Sequence, residues 1–173
     1  MPTPVAHSLA GVGIFVATGK RSLLEDTWLF VFSVIAASLP DIDFGISFLA
    51  GKNYHHYFTH SIGFNIFFFI AAYAAARLWR RRRPLKDAGI LGAAYLSHLL
   101  LDMLSKDTSA HYGIELFWPL SRDFYIAPVL VFDQIWRGTL AKLFGLHNWL
   151  AVAREVAVVG PLVAALWWWR SRH

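Results

Sequence analysis

Two residue pairs at a four-residue spacing have the chemistry to form a site: His56 with His60, and His98 with Asp102, each set in a strongly apolar stretch. On a helix that spacing puts both side chains on one face, a turn apart. Ionisable side chains at membrane depth are costly and usually mark function. His7 near the start of the chain adds an imidazole, and Asp41 and Asp43 add two carboxylates just after Pro40. The chain has no cysteine, so a metal would be held by imidazole and carboxylate. That donor set suits zinc first, with manganese or iron as alternatives. His7, Asp41, Asp43, His56, His60, His98 and Asp102 exceed the needs of one tetrahedral site, so the expectation is one or two ions, with an Asp bridging in the two-ion case. Two-ion sites hold both the attacking and the leaving oxygen of a phosphoester displacement.

The elements that must position these groups are apolar helices. With 57% hydrophobic and 16% charged residues over 173 positions, and a mean hydropathy of +0.46, a bilayer is a better solvent than water for much of this chain. No repeat or linker divides it, so residues 1–173 form one domain. The pattern predicts an all-α, polytopic integral membrane bundle of about five spans: a short first helix around Leu9–Thr18 that is not a cleaved leader, then Thr27–Ser38, Tyr57–Trp79, Asp87–Ser105 and Trp149–Trp169 with a kink at Pro161. The second helix breaks at Leu39-Pro40-Asp41 and resumes weakly from Phe44 to Ala50. The stretch from Lys106 to His147 reads as an external or interfacial cap, with an amphipathic or re-entrant helix between Ile126 and Leu146.

Basic residues set the orientation. An outside N-terminus puts Lys20, Arg21, Arg77, Arg80 to Arg83, Lys86, Arg170 and Arg172, ten of the sixteen, on the cytoplasmic side. His7, Asp41, Asp43, His55, His56, His60, His98 and Asp102 then all fall at external helix ends, on four separate segments. A lone intramembrane His is more often a helix-bridging residue, and a lone Asp after Pro more often a turn residue. Convergence of four segments on one face favours a site instead. His111, His147 and His173, in polar or terminal contexts, are read as ordinary residues.

The series His7-Ser8, Leu39-Pro40-Asp41-Ile42-Asp43, His55-His56-Tyr57-Phe58-Thr59-His60-Ser61, Ser97-His98-Leu99-Leu100-Leu101-Asp102 and Trp118-Pro119-Leu120-Ser121-Arg122 resembles the LexA-regulated, membrane-bound metal-dependent hydrolases, the YdjM-like proteins, over roughly residues 1 to 135. Members commonly carry His-Arg before the Thr-His-Ser element. His55 aligns with that His and His56 stands where Arg is usual, so either is open as the partner of His60. The resemblance implies a metal-dependent hydrolase whose ligand pattern is distantly similar to zinc-dependent phospholipase C; the basic-residue orientation faces the site outward from the cytoplasmic (inner) membrane, at the depth of a headgroup, which points to a phosphoester of a membrane lipid as substrate. Asp43, His55 and Arg122 are the expected catalytic groups, Arg122 because its planar fork suits phosphate. The rivals are an inert metal-binding membrane protein and a small cation or proton transporter using the His/Asp cluster as a relay. No charged residue lies between Phe64 and Ala76, which disfavours a relay. Ser61, Ser97 and Ser105 lack a nucleophile elbow, and nothing in the sequence supports nucleic-acid binding.

Overall fold

The computed structural model describes residues 1–18, 26–108 and 111–172. Lys20, Arg21 and His173 lie outside these. The described residues fold as seven helices: α1 Pro4–Ala17, α2 Thr27–Ser38, α3 Asp43–Ala50, α4 Ile62–Leu78, α5 Pro84–Met103, α6 Leu140–Leu143 and α7 Leu146–Arg172. Among them there is no β-strand; only two single bridges, Ser105 with Phe132 and Ile114 with Tyr125, tie down the segment after α5.

Local chemistry sets the helix boundaries. Thr3 caps α1, its hydroxyl accepting from the Val5 amide, and Pro4 opens the helix. Pro40 cannot continue α2, and the chain tightens into a 3-10 turn over Leu39–Ile42 before α3 begins. Ser61 caps α4 through the Phe64 amide. The third apolar run is therefore shorter than expected: Tyr57–Trp79 becomes 17 helical residues, about 26 Å at helical rise. Ahead of it, His56 has φ 70° in a turn and His60 ends a 3-10 turn over Phe58–His60, so this pair does not share a helix face. His98 and Asp102 do, both on α5. The expected helix between Ile126 and Leu146 is reduced to the four residues of α6; the rest of the cap is irregular chain. α5 starts earlier than expected, at Pro84, and α7 runs through Pro161.

Packing is centred on α1 and α5. α1 lies against α2, α5 and α7, while α5 also carries α2 and α4. The interior holds an apolar core, Phe15, Leu29 and Leu91 in it, together with a set of buried polar groups. His7, Asp43, His60, His98 and Asp102 are buried, as are Asp87 and Glu155, while Ile66, Phe67 and Ile70 of α4 point outward. Apolar side chains outside and polar ones inside suit a lipid environment. Two segments, Thr27–Ala50 and Leu140–Arg172, are long and apolar enough to cross a bilayer; Pro4–Ala17 and Ile62–Leu78 are apolar but shorter.

Two contacts hold α1 in register. The buried Glu155 carboxylate of α7 accepts from the Thr3 amide at 2.8 Å and from the Thr3 hydroxyl. At Gly11 the α1 and α2 backbones approach so closely that a Cβ would lie 2.7 Å from the Ser33 carbonyl oxygen and 2.9 Å from the Val34 Cα. Small residues allow such crossings. Gly11→Val is therefore expected to push α1 off α2, lowering stability by about 1–3 kcal/mol and displacing His7 one turn away. The unfolding midpoint in detergent and the bound metal content should fall together; a variant with wild-type values of both would contradict this.

Candidate metal centre

The ligating atoms converge where the C-terminal ends of α2 and α5 meet the chain entering α4. His98 is fully buried, and its Nδ1 lies 2.8 Å from the Ala37 carbonyl oxygen. A carbonyl only accepts, so Nδ1 carries the proton and donates, leaving the Nε2 lone pair aimed inward. His60 is held in the same sense: its Nδ1 lies 3.1 Å from Asp43 Oδ2, so Nε2 faces the centre. The two Nε2 atoms are 3.2 Å apart. Asp102 Oδ2 stands 3.0 Å from one and 3.2 Å from the other, with Asp41 Oδ1 at 3.7 and 3.9 Å. The His7 ring stacks on His98 with centroids 3.8 Å apart, and its Nε2 is 3.7 Å from Asp102 Oδ1.

Lone pairs facing each other at this range repel unless a positive charge lies between them. Both ring nitrogens of His7, Asp41 Oδ1 and both Asp102 oxygens are buried with no hydrogen-bond partner. Orphaned buried polar atoms of this kind are rare and costly. Two nitrogens on one tetrahedral zinc, each at about 2.0–2.1 Å, would be about 3.4 Å apart, close to the spacing found. His7, Asp41, His60, His98 and Asp102 therefore fit a divalent ion. Three overlapping sets of potential ligand atoms, His7 with His98 and Asp102, Asp41 with His60 and His98, and Asp41 with Asp43 and His55, each lie within 4.8 Å, as do His55, His56 and His60.

Asp43 plays a different part from the other carboxylates. It is fully buried, and its oxygens accept from His55 Nδ1 at 2.9 Å, Thr59 Oγ1 at 3.0 Å, His60 Nδ1 at 3.1 Å and the His56 amide at 3.2 Å. Its accepting capacity is used on protein donors, which makes it the group that orients the histidines. Thr59 is fixed in turn by the buried Tyr95, whose hydroxyl donates to the Thr59 carbonyl. His56 Nδ1 pairs with Asp107 at 3.2 Å, while its Nε2 is one of the orphaned atoms.

His55 and His56 open onto a cavity of about 290 Å³, shared with Met1, Phe44, Lys106 and Arg137. His55 stacks on Phe44 at 4.0 Å, and Arg137 lies over the same ring at 4.5 Å. Burial lowers His55 to about 4 although Asp43 draws it upward, so the ring is neutral at pH 7. Arg122 stands elsewhere. It is exposed, and its charge acts on Glu115, a carboxyl that burial pushes up. The cap reaches the site differently, through the Glu115 amide donating to the His56 carbonyl and through Trp118, whose carbonyl lies where a Cβ on Gly63 would fall. His111 and His147 sit outside the site, stacked on Phe124 and Trp136.

Asp107, Thr59, Tyr95, Lys106 and Arg137 have no role that sequence reasoning assigns. Thr59 lies inside the His55–Ser61 motif and Tyr95 on the α5 helix, while Lys106, Asp107 and Arg137 come from the cap, which has no periodic signal. No curated protein and no solved structure matches the chain. The family model for YdjM inner membrane protein matches residues 1–172. Coverage of nearly the whole length shows that the chain belongs to the YdjM inner membrane protein family.

Proposed function

We propose that this protein is a membrane-bound metal-dependent hydrolase that cleaves a phosphoester of a membrane lipid at the extracytoplasmic face. The observation that carries the reading is the convergence of five buried or half-buried side chains, of which His7, Asp41 and Asp102 have polar atoms without a hydrogen-bond partner, beside a cavity bordered by Lys106 and Arg137. His7, Asp41, His60, His98 and Asp102 would hold the ion, zinc first, in a ligand pattern distantly similar to zinc-dependent phospholipase C. An ion there would supply Lewis-acid polarisation of a phosphoryl oxygen and lower the pKa of water. Asp43 fixes the tautomers of His55 and His60 by accepting from both Nδ1 atoms. His55 is neutral and cavity-facing; its Nε2 lies 2.7 Å from the Met1 sulfur, and it would serve as a proton acceptor once substrate displaces that thioether. Lys106 and Arg137 border the same cavity and suit an anionic phosphoester, Arg137 with its guanidinium over Phe44, while Asp107, which also lines the cavity, pairs with His56.

Purified protein loaded with zinc or manganese, incubated with a lipid extract of its own host, is expected to release phosphate or a phosphorylated headgroup and to stop on chelation. Metal-replete protein that releases neither would leave an inert metal-binding membrane protein as the account.

The multi-pass arrangement rests on the same basic-residue bias. Single cysteines at Lys52 and Arg82 test it in a chain with no other cysteine. Both positions are exposed, whereas Arg81 is pinned between Asp26 and Asp87. An impermeant thiol reagent added to intact cells should label Lys52→Cys and spare Arg82→Cys. The reverse pattern would put the metal centre on the cytoplasmic side.

A further inference from the structure

At the opposite end of the α2, α4 and α5 helices from the metal centre, the loop joining α4 to α5 carries four consecutive arginines. Arg81 is committed to the fold: its Nε donates to Asp87 at 2.9 Å, its terminal nitrogen to Asp26 at 2.6 Å, and its guanidinium lies over Trp28 at 4.8 Å. Arg80, Arg82 and Arg83 are exposed and, among the described residues, have no ion-pair partner. α4 ends in a left-handed turn at Arg80, φ 51°, closed by the Arg81 amide bonding back to the Ala76 carbonyl. That turn and the Arg81 anchor gather the other three guanidinium groups around a cavity of about 640 Å³ lined by Asp26, Trp79, Arg80 to Arg83 and Asp87.

A second cavity adjoins it. α2 and α4 both pack on α5, and between them runs a groove of about 320 Å³. Trp28 and Phe32 of α2 face Ala71, Ala75 and Trp79 of α4 across it, over Leu91 of α5. The small alanine side chains give it depth. It runs from Trp28 to Leu39, about 17 Å at helical rise, and every residue lining it is apolar. Trp79 lines both cavities, so a cationic pocket and an apolar groove meet at one indole.

We propose that this end of the molecule is a binding site for an anionic phospholipid, its phosphodiester among Arg80, Arg82 and Arg83 and one acyl chain lying in the groove between α2 and α4. Charge selects the head and shape selects the tail. Guanidinium groups bind phosphate oxygens through paired N–H donors, and arginines at a membrane surface favour anionic over zwitterionic lipid. An apolar groove that shares Trp79 with the arginine pocket, the Trp28 and Trp79 rings packed edge to face where the two meet, calls for an amphiphile with an anionic head, which neither a soluble anion nor a neutral lipid supplies. The site shares no residue with the metal centre, so it can stand or fall independently of the hydrolase reading.

The test is native mass spectrometry of the full-length protein in detergent, with equimolar palmitoyl-oleoyl phosphatidylglycerol and phosphatidylcholine. Wild type should retain phosphatidylglycerol in about tenfold preference, and the combined Arg80→Gln, Arg82→Gln, Arg83→Gln variant should lose that preference while keeping its metal content and unfolding midpoint. Ala71→Trp, filling the groove, should cut retention of both lipids; Ile35→Trp, at a half-exposed groove position, serves the same purpose if Ala71→Trp lowers the unfolding midpoint. Equal retention of the two lipids by wild type, or an unchanged preference in the triple variant, would overturn the proposal. Displacement of phosphatidylglycerol by millimolar inorganic phosphate, with no effect of the groove-filling variants, would make this a site for a soluble anion and overturn the lipid assignment.

Discussion

His98→Ala and Asp102→Ala proteins, purified beside wild type from zinc-supplemented cells, should each retain less than about a tenth of the wild-type metal, because each removes a donor from the middle of the set, where His60 Nε2, His98 Nε2 and Asp102 Oδ2 meet. His98 alone lies within 3.2 Å of both His60 Nε2 and Asp102 Oδ2, and both Asp102 oxygens are buried without a partner. Were these merely helix-bridging residues, their loss would cost about 0.6 kcal/mol of packing and leave metal content alone. Asp43→Asn separates orientation from ligation. Its amide could still accept from His60 but would lose the carboxylate's charge, so affinity should fall about 10–100-fold without loss of the site. Full metal content in folded His98→Ala or Asp102→Ala protein would dismiss the assignment.

Arg137→Ala should lower turnover of a lipid phosphoester by about 10–100-fold, the worth of a charge-assisted bidentate contact, at unchanged metal content. Arg137→Lys should recover part of it, since a lysine keeps the charge and loses the fork and the stacking on Phe44. Arg122→Lys, the variant the motif argument would choose, should matter less because Arg122 faces Glu115 and not the cavity. If turnover falls with Arg122→Lys and not with Arg137→Ala, the cap moves in a way this arrangement does not contain, and the phosphate contact belongs to Arg122.

Much of the donor set was legible in the sequence because costly residue types stand out against apolar runs. His7, Asp41, His60, His98 and Asp102 needed only their chemistry and the helix ends they fall on. The break at Pro40 was legible for the same local reason. The His56 and His60 pair misled, since four-residue spacing implies one helix face only where a helix exists. Ser61 as the cap of α4 puts both residues before the helix, and the left-handed backbone at His56 turns its ring toward Asp107. The histidines still meet, their rings 5.0 Å apart, but through a turn. Asp107, Lys106 and Arg137 were illegible because the cap has no periodicity; pairings such as Lys106 with Phe132 and Ile114 with Tyr125 fold it back, and these depend on distant chain. The separation of Asp43 from the other carboxylates also needed coordinates, since only its four donors mark it as an orienting group.

The contact between Thr3 and Glu155 has a bearing on how such a chain is made. α1 is synthesised before the other described helices, yet the carboxylate that fixes its start is 152 residues downstream. At about 5–20 residues per second of synthesis, α1 waits about 8–30 seconds for that partner. During that interval His7 has no fixed place, and its co-ligands on α5 emerge only when α5 does. If the set holds an ion, capture through all of its members would therefore be a late event in biogenesis, after α7 has closed on α1.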